Sequence, residues 1–401
     1  MATIIRDMDI IISVDPGFDG IKTTVNGINL FIPNLAVNIT GKEKDFIKGF
    51  NKNFILSKYI KGISYLVGEH AEQITGIDSV ERQLETVEGV NTSYKKFTTE
   101  ESEVSILTSI GMALIKWAEI NKLDVETVLG EKSMYTIWVG IALPESAMEE
   151  TWPSVLQTLV GRKCFEIETE ERTYNLDFVI EANHCQPTSQ VKDAYWGTIL
   201  NDEGDFYDGM ENSMTTDLPA VVVDGGFKTI ADFTLTRNLL VTNAESNTDY
   251  AMLNIYRSTI DFIKKEYSTE ISIYKMKDIL KNEGGIMYYL KDGKSASLDI
   301  NVILEQEKER IAKEYIDYLC RKYNQLLDKK KIIISGGTGT AYYEYFKKFV
   351  EESRSHLKDK LVLTDYEFMG SKINPVFGIS VGQYKVLKKL IKDLRNQQAA
   401  K

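Results

Sequence analysis

One short pattern, met twice, constrains this chain more than any other feature. Ile10-Ile11-Ile12-Ser13-Val14 runs into Asp15-Pro16-Gly17, and Ala220-Val221-Val222-Val223 runs into Asp224-Gly225-Gly226. A short apolar run bounded by turn residues reads as a buried strand. Behind the first copy, Gly20 to Val25 and Ile28 to Ile32 flank Asn26-Gly27. Asn-Gly between β-prone runs is a strong hairpin signal, because both residues tolerate positive φ. Behind the second copy, Thr229 to Leu235 reads as a strand, Thr236-Arg237-Asn238 as a turn and Leu239 to Thr242 as a third strand. An acid at the end of a buried strand, then a glycine turn and a hairpin, twice over, predicts a duplicated α/β domain. The alternative is coincidence, since strand, glycine and strand is a common order.

The remaining chain supplies mixed α/β material. Thr98 as cap and Glu101 three residues later predict a helix, with Val104, Leu107, Ile110, Leu114, Ile115 and Ala118 on one face to about Asn121. Tyr135 to Ala142 and Tyr174 to Ile180 read as strands. A helix start is expected at Asn183-His184-Cys185-Gln186-Pro187, because proline at the first helical position loses no hydrogen bond. Asn201 to Asp217, rich in acids, reads as an exposed loop and a domain seam. Helices follow near Asp249 to Lys265 and Asn301 to Leu327, then a strand, Lys331 to Ser335, entering Gly336-Gly337-Thr338-Gly339-Thr340. Ala341 to Glu351 reads as a helix and Leu361 to Thr364 as a strand. A last helix is expected from Pro375 to about Arg395, with a frayed Gln-Gln-Ala-Ala-Lys tail.

Charge narrows the function classes. Among 401 residues, Lys+Arg 48 against Asp+Glu 59 leaves a net charge of -11. Such a surface repels phosphate backbones and anionic lipid, so neither direct nucleic-acid binding nor membrane binding is expected. A hydrophobic share of 43% with only 7 prolines can bury a core. Cys164, Cys185 and Cys320 are too few for a disulfide framework, which points to a reducing compartment. Met1 to Asp9 lacks the form of a signal peptide, and no apolar stretch approaches the ~20 residues that span a bilayer. A soluble, cytoplasmic, globular protein is expected.

Three glycine-rich strand ends could bind an anion: Asp15-Pro16-Gly17, Asp224-Gly225-Gly226 and Gly336-Gly337-Thr338-Gly339. Glycine lets backbone N–H groups converge on phosphate without a Cβ in the way. No GxxxxGK[ST] run exists, and Tyr342 stands where GxGxxG would need its third glycine. A carboxylate beside phosphate makes sense only with a cation between them. Asp15 and Asp224 could hold the hydration shell of Mg²⁺, and Lys22 could reach a phosphate as a point charge. Each has a plainer reading: an Asp at a turn makes an Asx hydrogen bond, and a strand Lys faces solvent. His184 beside Cys185 reads as a packed strand end rather than a metal site. Lys329-Lys330-Lys331 and Lys388-Lys389 read as solvated element ends.

Taken together, these segments resemble the actin/Hsp70/sugar-kinase superfamily. DPGFDGIK (Asp15 to Lys22) is similar to the first phosphate motif of actins, DGGFKT (Asp224 to Thr229) to the second, and IIISGGTGT (Ile332 to Thr340) to the adenosine motif. Within the superfamily the chain looks most like plasmid-segregation actins of the ParM type, whose "vGe.A" segment is similar to Tyr65-Leu66-Val67-Gly68-Glu69-His70-Ala71.

That resemblance implies an actin-like (ribonuclease H-like) duplicated fold with a nucleotide cleft between two domains. Domain I would cover residues 1–217 plus 376–401, with a peripheral subdomain at about 31–97, and domain II residues 218–375. It implies ATP or GTP as substrate, Mg²⁺, and hydrolysis coupled to filament assembly. It also implies plasmid segregation through a DNA-binding adaptor of the ParR type. Asp15 and Asp224 match the Mg²⁺-side aspartates. Gly17, Phe18, Asp19, Gly20 and Lys22 match the first phosphate loop; Gly225, Gly226 and Lys228 match the second; Gly336, Gly337 and Thr338 match the nucleoside support. Gln186 falls where the first connecting helix is expected and would orient the attacking water, or else merely cap that helix.

Departures accompany the match. Ala231 stands where many relatives have an aspartate, with Asp232 one later. Phe18 and Asp19 replace small residues, and Asn243 to Thr248 has no glycine-rich third phosphate loop, which leaves ATP against GTP open. A sugar-type kinase of the same superfamily and a cell-shape or division actin are the alternatives. The first lacks a marked carboxylate base and the second a basic amphipathic anchor.

Overall fold

The computed structural model describes residues 9–42, 55–59, 62–75, 99–130 and 134–399. By its internal contacts the chain divides into two units. One makes its first pass to Ser213 and resumes at Thr364; the other runs from Met214 to Leu363.

In the first unit, β1 (Asp9–Pro16) is buried along its whole length, as befits a strand covered on both faces. Ile10, Ile12 and Val14 join one apolar cluster and Ile11 another. β2 (Gly20–Val25) and β3 (Ile28–Pro33) form the expected hairpin. Asn26 and Gly27 take φ of 41° and 93° at its turn. Asn26 also fastens that turn to β1, accepting from the Ile11 amide at 2.9 Å and donating to the Asp9 carbonyl at 3.1 Å. β4 (Ala36–Asn38), β5 (Ile55–Tyr59), β6 (Ile63–Val67), β7 (Thr136–Leu143), β8 (Gly161–Glu168), β9 (Thr173–Ile180) and β10 (Cys185–Ser189) follow. Two sheets result, in the orders β10-β7-β1-β2-β3 and β4-β6-β5-β8-β9. In the first, β1 pairs parallel with β7 and β7 with β10, while β1, β2 and β3 are antiparallel. The helix Glu100–Ile120 buries the expected apolar face. Its cap is Thr99, not Thr98, with Thr99 Oγ1 accepting from the Ser102 amide at 3.2 Å.

The second unit repeats this plan. β11 (Ala220–Gly225), β12 (Ile230–Leu235), β13 (Val241–Asn247), β14 (Ile286–Lys291), β15 (Lys294–Asp299), β16 (Lys331–Ser335) and β17 (Leu361–Leu363) appear in chain order. The sheet β13-β12-β11-β16-β17 has the order and strand directions of the first unit's β1 sheet. β13 begins later than expected because Asn238 and Leu239 both turn through positive φ, 50° and 54°. Helices Met252–Tyr267, Ile273–Asn282, Ile300–Lys322 and Gly336–Ser353 pack an apolar cluster around Ile255, Met276, Tyr315 and Phe346. The second of these helices and the β14–β15 hairpin have no counterpart in the sequence reading.

The acidic stretch after Asn201 is exposed at Glu203, Asp205, Asp208 and Glu211, as expected, and is tied down by the last helix. Lys385 on the last helix, Gly378–Ala399, is fully buried and donates to the Leu200 carbonyl at 2.8 Å, the Tyr207 hydroxyl at 3.2 Å and the Glu367 carbonyl at 3.4 Å. Its ammonium lies 3.8 Å from Asp202 and 4.3 Å above the Tyr366 ring. Lys388 and Lys392 pair with Glu203 and Asp205 at 3.2 and 2.8 Å. Lys388 and Lys329 are therefore buried stems with acidic partners, not solvated ends. The last helix also continues through Ala399, into the tail expected to fray.

Candidate functional site

In the first unit the polar groups gather where β1 ends. The turn is closed by the Gly17 amide donating to the Gly20 carbonyl at 3.0 Å, and Asn34 Nδ2 holds the Gly17 carbonyl at 2.9 Å. Asp15 and Lys22 are register partners across β1 and β2, which brings the Lys22 ammonium to 3.3 Å from Asp15 Oδ2. The other oxygen, Oδ1, accepts from Gln190 Nε2 at 2.8 Å. A Cβ on Gly17 would lie 2.6 Å from Lys22 Nζ, and one on Gly20 would meet the Phe31 ring at 2.2 Å. The glycines therefore make room for the ammonium and the aromatic. Phe18 and Asp19 are half-buried in this turn. Among the described residues no group of three His, Cys, Asp or Glu side chains could hold a metal ion by itself.

Gln186 is not at a helix start. It lies in β10, opposite Gly140 of β7, and the helix runs Gln190–Ile199 behind Ser189. Ser189 Oγ accepts from the Lys192 amide at 3.4 Å, so a serine cap outcompetes the start at Pro187. The glutamine that reaches Asp15 is Gln190, which the sequence reading passed over. Ser189, a good cap residue just before it, was the signal available. His184, just before β10, packs on Trp138 with ring centroids 4.1 Å apart and planes tilted by 41°.

The second unit builds its turn from backbone. A Cβ on Gly225 would fall 2.2 Å from the Gly339 amide nitrogen, and one on Gly336, at φ 78°, would fall 2.5 Å from the Gly225 carbonyl. Thr338 Oγ1 donates to the Gly226 carbonyl at 2.6 Å. The glycine run after β16 is therefore the first turn of the helix Gly336–Ser353, not a loop before it. Helix N-terminal N–H groups are ready-made anion donors, and Gly337 is the exposed residue of that turn. Asp224 is half-buried beside Gly336, 3.2 Å from where its Cβ would stand. Lys228 follows, its ammonium driven toward the neutral form by burial and by the charge of Arg257. Phe227 makes an edge contact with Tyr256 and carries Lys277 over its face at 4.2 Å. Asp232 plays no part in this turn. It is fully buried, paired with Lys322 at 2.6 Å and bonded to the Tyr323 hydroxyl.

Two sheets of one topology, each with its glycine turn at the end of the first strand, define the actin-like fold. Among solved structures, the chain is similar to the actin-like protein Alp7A, with a TM-score of 0.66 at 17% identity over 98% of this chain and 100% of that one. It is also similar to a 15-stranded ParM filament from Clostridium botulinum (0.62, 15%, 95% and 99%) and to Bacillus thuringiensis ParM with ATP (0.60, 11%, 97% and 100%). No family model and no curated protein sequence matches the chain.

Proposed function

We propose that this chain binds and hydrolyses a nucleoside triphosphate, ATP or GTP, and that nucleotide binding drives its assembly into filaments. The observation that carries this reading is Asp15, pinned by Lys22 and Gln190 over a glycine turn. Backing comes from the second glycine turn and from the likeness to a ParM filament and to an ATP-bound ParM. Asp15 has one partner on each oxygen and so keeps lone pairs for the waters of a hydrated Mg²⁺; Asp224, at the end of β11, is the second acid of this reading. Bound Mg²⁺ would neutralise charge on the triphosphate. Lys22 is the phosphate cation on the first turn, joined by the amides that follow Gly17, whose own amide closes the turn. The second turn offers Gly225, Gly226 and Lys228, and Gly336, Gly337 and Thr338 support the nucleoside. Gln190, rather than Gln186, orients the attacking water, since an amide both donates to and accepts from water.

On this reading the protein is a cytoplasmic filament that segregates plasmid DNA through a ParR-type adaptor, its own net charge of -11 being unsuited to DNA. Pelleting and light scattering with Mg²⁺ and ATP or GTP provide the test. Assembly is expected with one of the nucleotides, and a chain that stays monomeric with both sinks the filament reading. Gln190→Ala should assemble yet release phosphate at least about tenfold more slowly, whereas Gln186→Ala should hydrolyse normally.

A further inference from the structure

Behind Gln190 lies a polar chain that no step above uses. Asp193, on the same helix, is buried, and Thr188 Oγ1 donates to its Oδ2 at 2.6 Å. The Thr188 hydroxyl in turn accepts from Gln383 Nε2 at 2.6 Å. Gln383 is fully buried on the last helix, and its Oε1 has no hydrogen-bond partner among the described residues. This chain joins β10, the first turn of the helix Gln190–Ile199 and the helix Gly378–Ala399. The helices touch at this level: a Cβ on Gly382 would stand 2.1 Å from the Asp193 carbonyl oxygen. Residues three apart share a helix face, so Gln190 and Asp193 project from the same side of their helix.

We infer that Asp193 is a positioning residue for Gln190. Through Thr188 and Gln383, its carboxyl fixes the rotation of the helix's first turn and thereby holds the Gln190 amide at Asp15. The inference rests on the reading that Gln190 orients the attacking water. Burial also pushes the Asp193 carboxyl well above the usual carboxylate range, against the pull of the Thr188 hydroxyl. Asp15 and Glu145 push in the same direction, and Lys192 opposes them. A neutral acid is therefore the form that the site favours. Such an acid presents one O–H donor and one carbonyl acceptor, an arrangement that an asparagine reproduces in outline. An alanine does not.

The experiment compares Asp193→Ala, Asp193→Asn, Gln190→Ala and the double variant Gln190→Ala/Asp193→Ala. Asp193→Ala should lower kcat for phosphate release about tenfold, as a small misplacement of a positioning group does, while nucleotide affinity changes less than about twofold. Asn at the same position should restore kcat. In the Gln190→Ala background, removing Asp193 should cost nothing more. An additional loss there, or equal rates for the Ala and Asn variants, overturns the inference. Should Asp193→Ala fail to fold, Thr188→Val removes the same link with little change of shape and should show the same split between kcat and affinity. The side-chain amide resonance of Gln190, followed by NMR without nucleotide, separates this inference from the function it rests on. It should shift in Asp193→Ala and return in Asp193→Asn. If the resonance does not move, the positioning role is wrong, whatever the chain does with ATP or GTP.

Discussion

The β1 sheet and the β11 sheet share one topology but finish their first strands by opposite means. At the end of β1 the work falls to side chains: a carboxylate holds a lysine on one oxygen and a glutamine amide on the other. At the end of β11 main-chain packing takes over, with Gly225 so close to the Gly339 amide that it could not carry a methyl group unstrained, and with Thr338 holding the Gly226 carbonyl. The hairpins differ in the same sense. The Asn26 side chain bonds back to β1, whereas Asn238 is exposed at the tip of its turn. The two sheets keep one pairing order around a central strand that is a largely apolar run in each. The polar ends differ, a buried Asp15 closing β1 and a half-buried Asp224 closing β11.

Substitutions can break or sharpen this contrast. The largest effect is expected at Gly225→Ala, whose new methyl group meets main chain that no rotamer change can move aside. Urea unfolding should register a loss of about 3 kcal/mol or more, and a loss below about 1 kcal/mol would remove the claim that the second turn is built from backbone contact. Next comes Asp15→Ala, which strips the Lys22 ammonium and the Gln190 amide of a shared acceptor. We expect about 2 kcal/mol from thermal melts. Asp15→Asn should recover part of it by keeping an oxygen for Gln190, and equal losses for the two variants would count against a side-chain-built first turn. The smallest effect concerns the hairpin tips. Asn26→Gly keeps positive φ available but deletes two hydrogen bonds, for about 1 kcal/mol, while Asn238→Gly should change stability by only a few tenths. Matching losses at the two tips would erase the distinction.

Local chemistry explains what could be read in advance. Asn26-Gly27 allows few backbone alternatives, and both residues take the positive φ that the pair implies. The two strand-turn-hairpin units were visible because a fully buried strand needs an unbroken apolar run. Gln190 was missed for a different reason. Its contact with Asp15 spans 175 positions, and the local choice between Pro187 and Ser189 as helix start depended on β10 continuing its pairing with β7. The glycine run at Gly336 looks like a loop in sequence, yet packing against Gly225 draws it into a helix. Lys329 and Lys388 sit in lysine clusters that resemble solvent-facing ends, yet the folded chain buries both, Lys388 against Glu203 185 positions away and Lys329 beside its neighbour Asp328. Similarly, the helix Ile273–Asn282 and the β14–β15 hairpin are short segments that take shape against the larger helices around them.

Lys385 has a consequence for how the protein should answer to alkali. Its ammonium moors two leads of chain within the first unit, the one from Leu200 to Tyr207, upstream of the exit after Ser213, and the one through Glu367, just after the return at Thr364. Burial depresses its pKa from 10.5 to about 8, with Asp202 opposing. An unfolded chain would keep that proton up to about 10.5, so between these limits the folded form binds fewer protons and this site's contribution to stability grows as pH rises. Below pH 8 the contribution levels off, with the charge confined among carbonyls. One lysine thus makes the two leads sense the same proton.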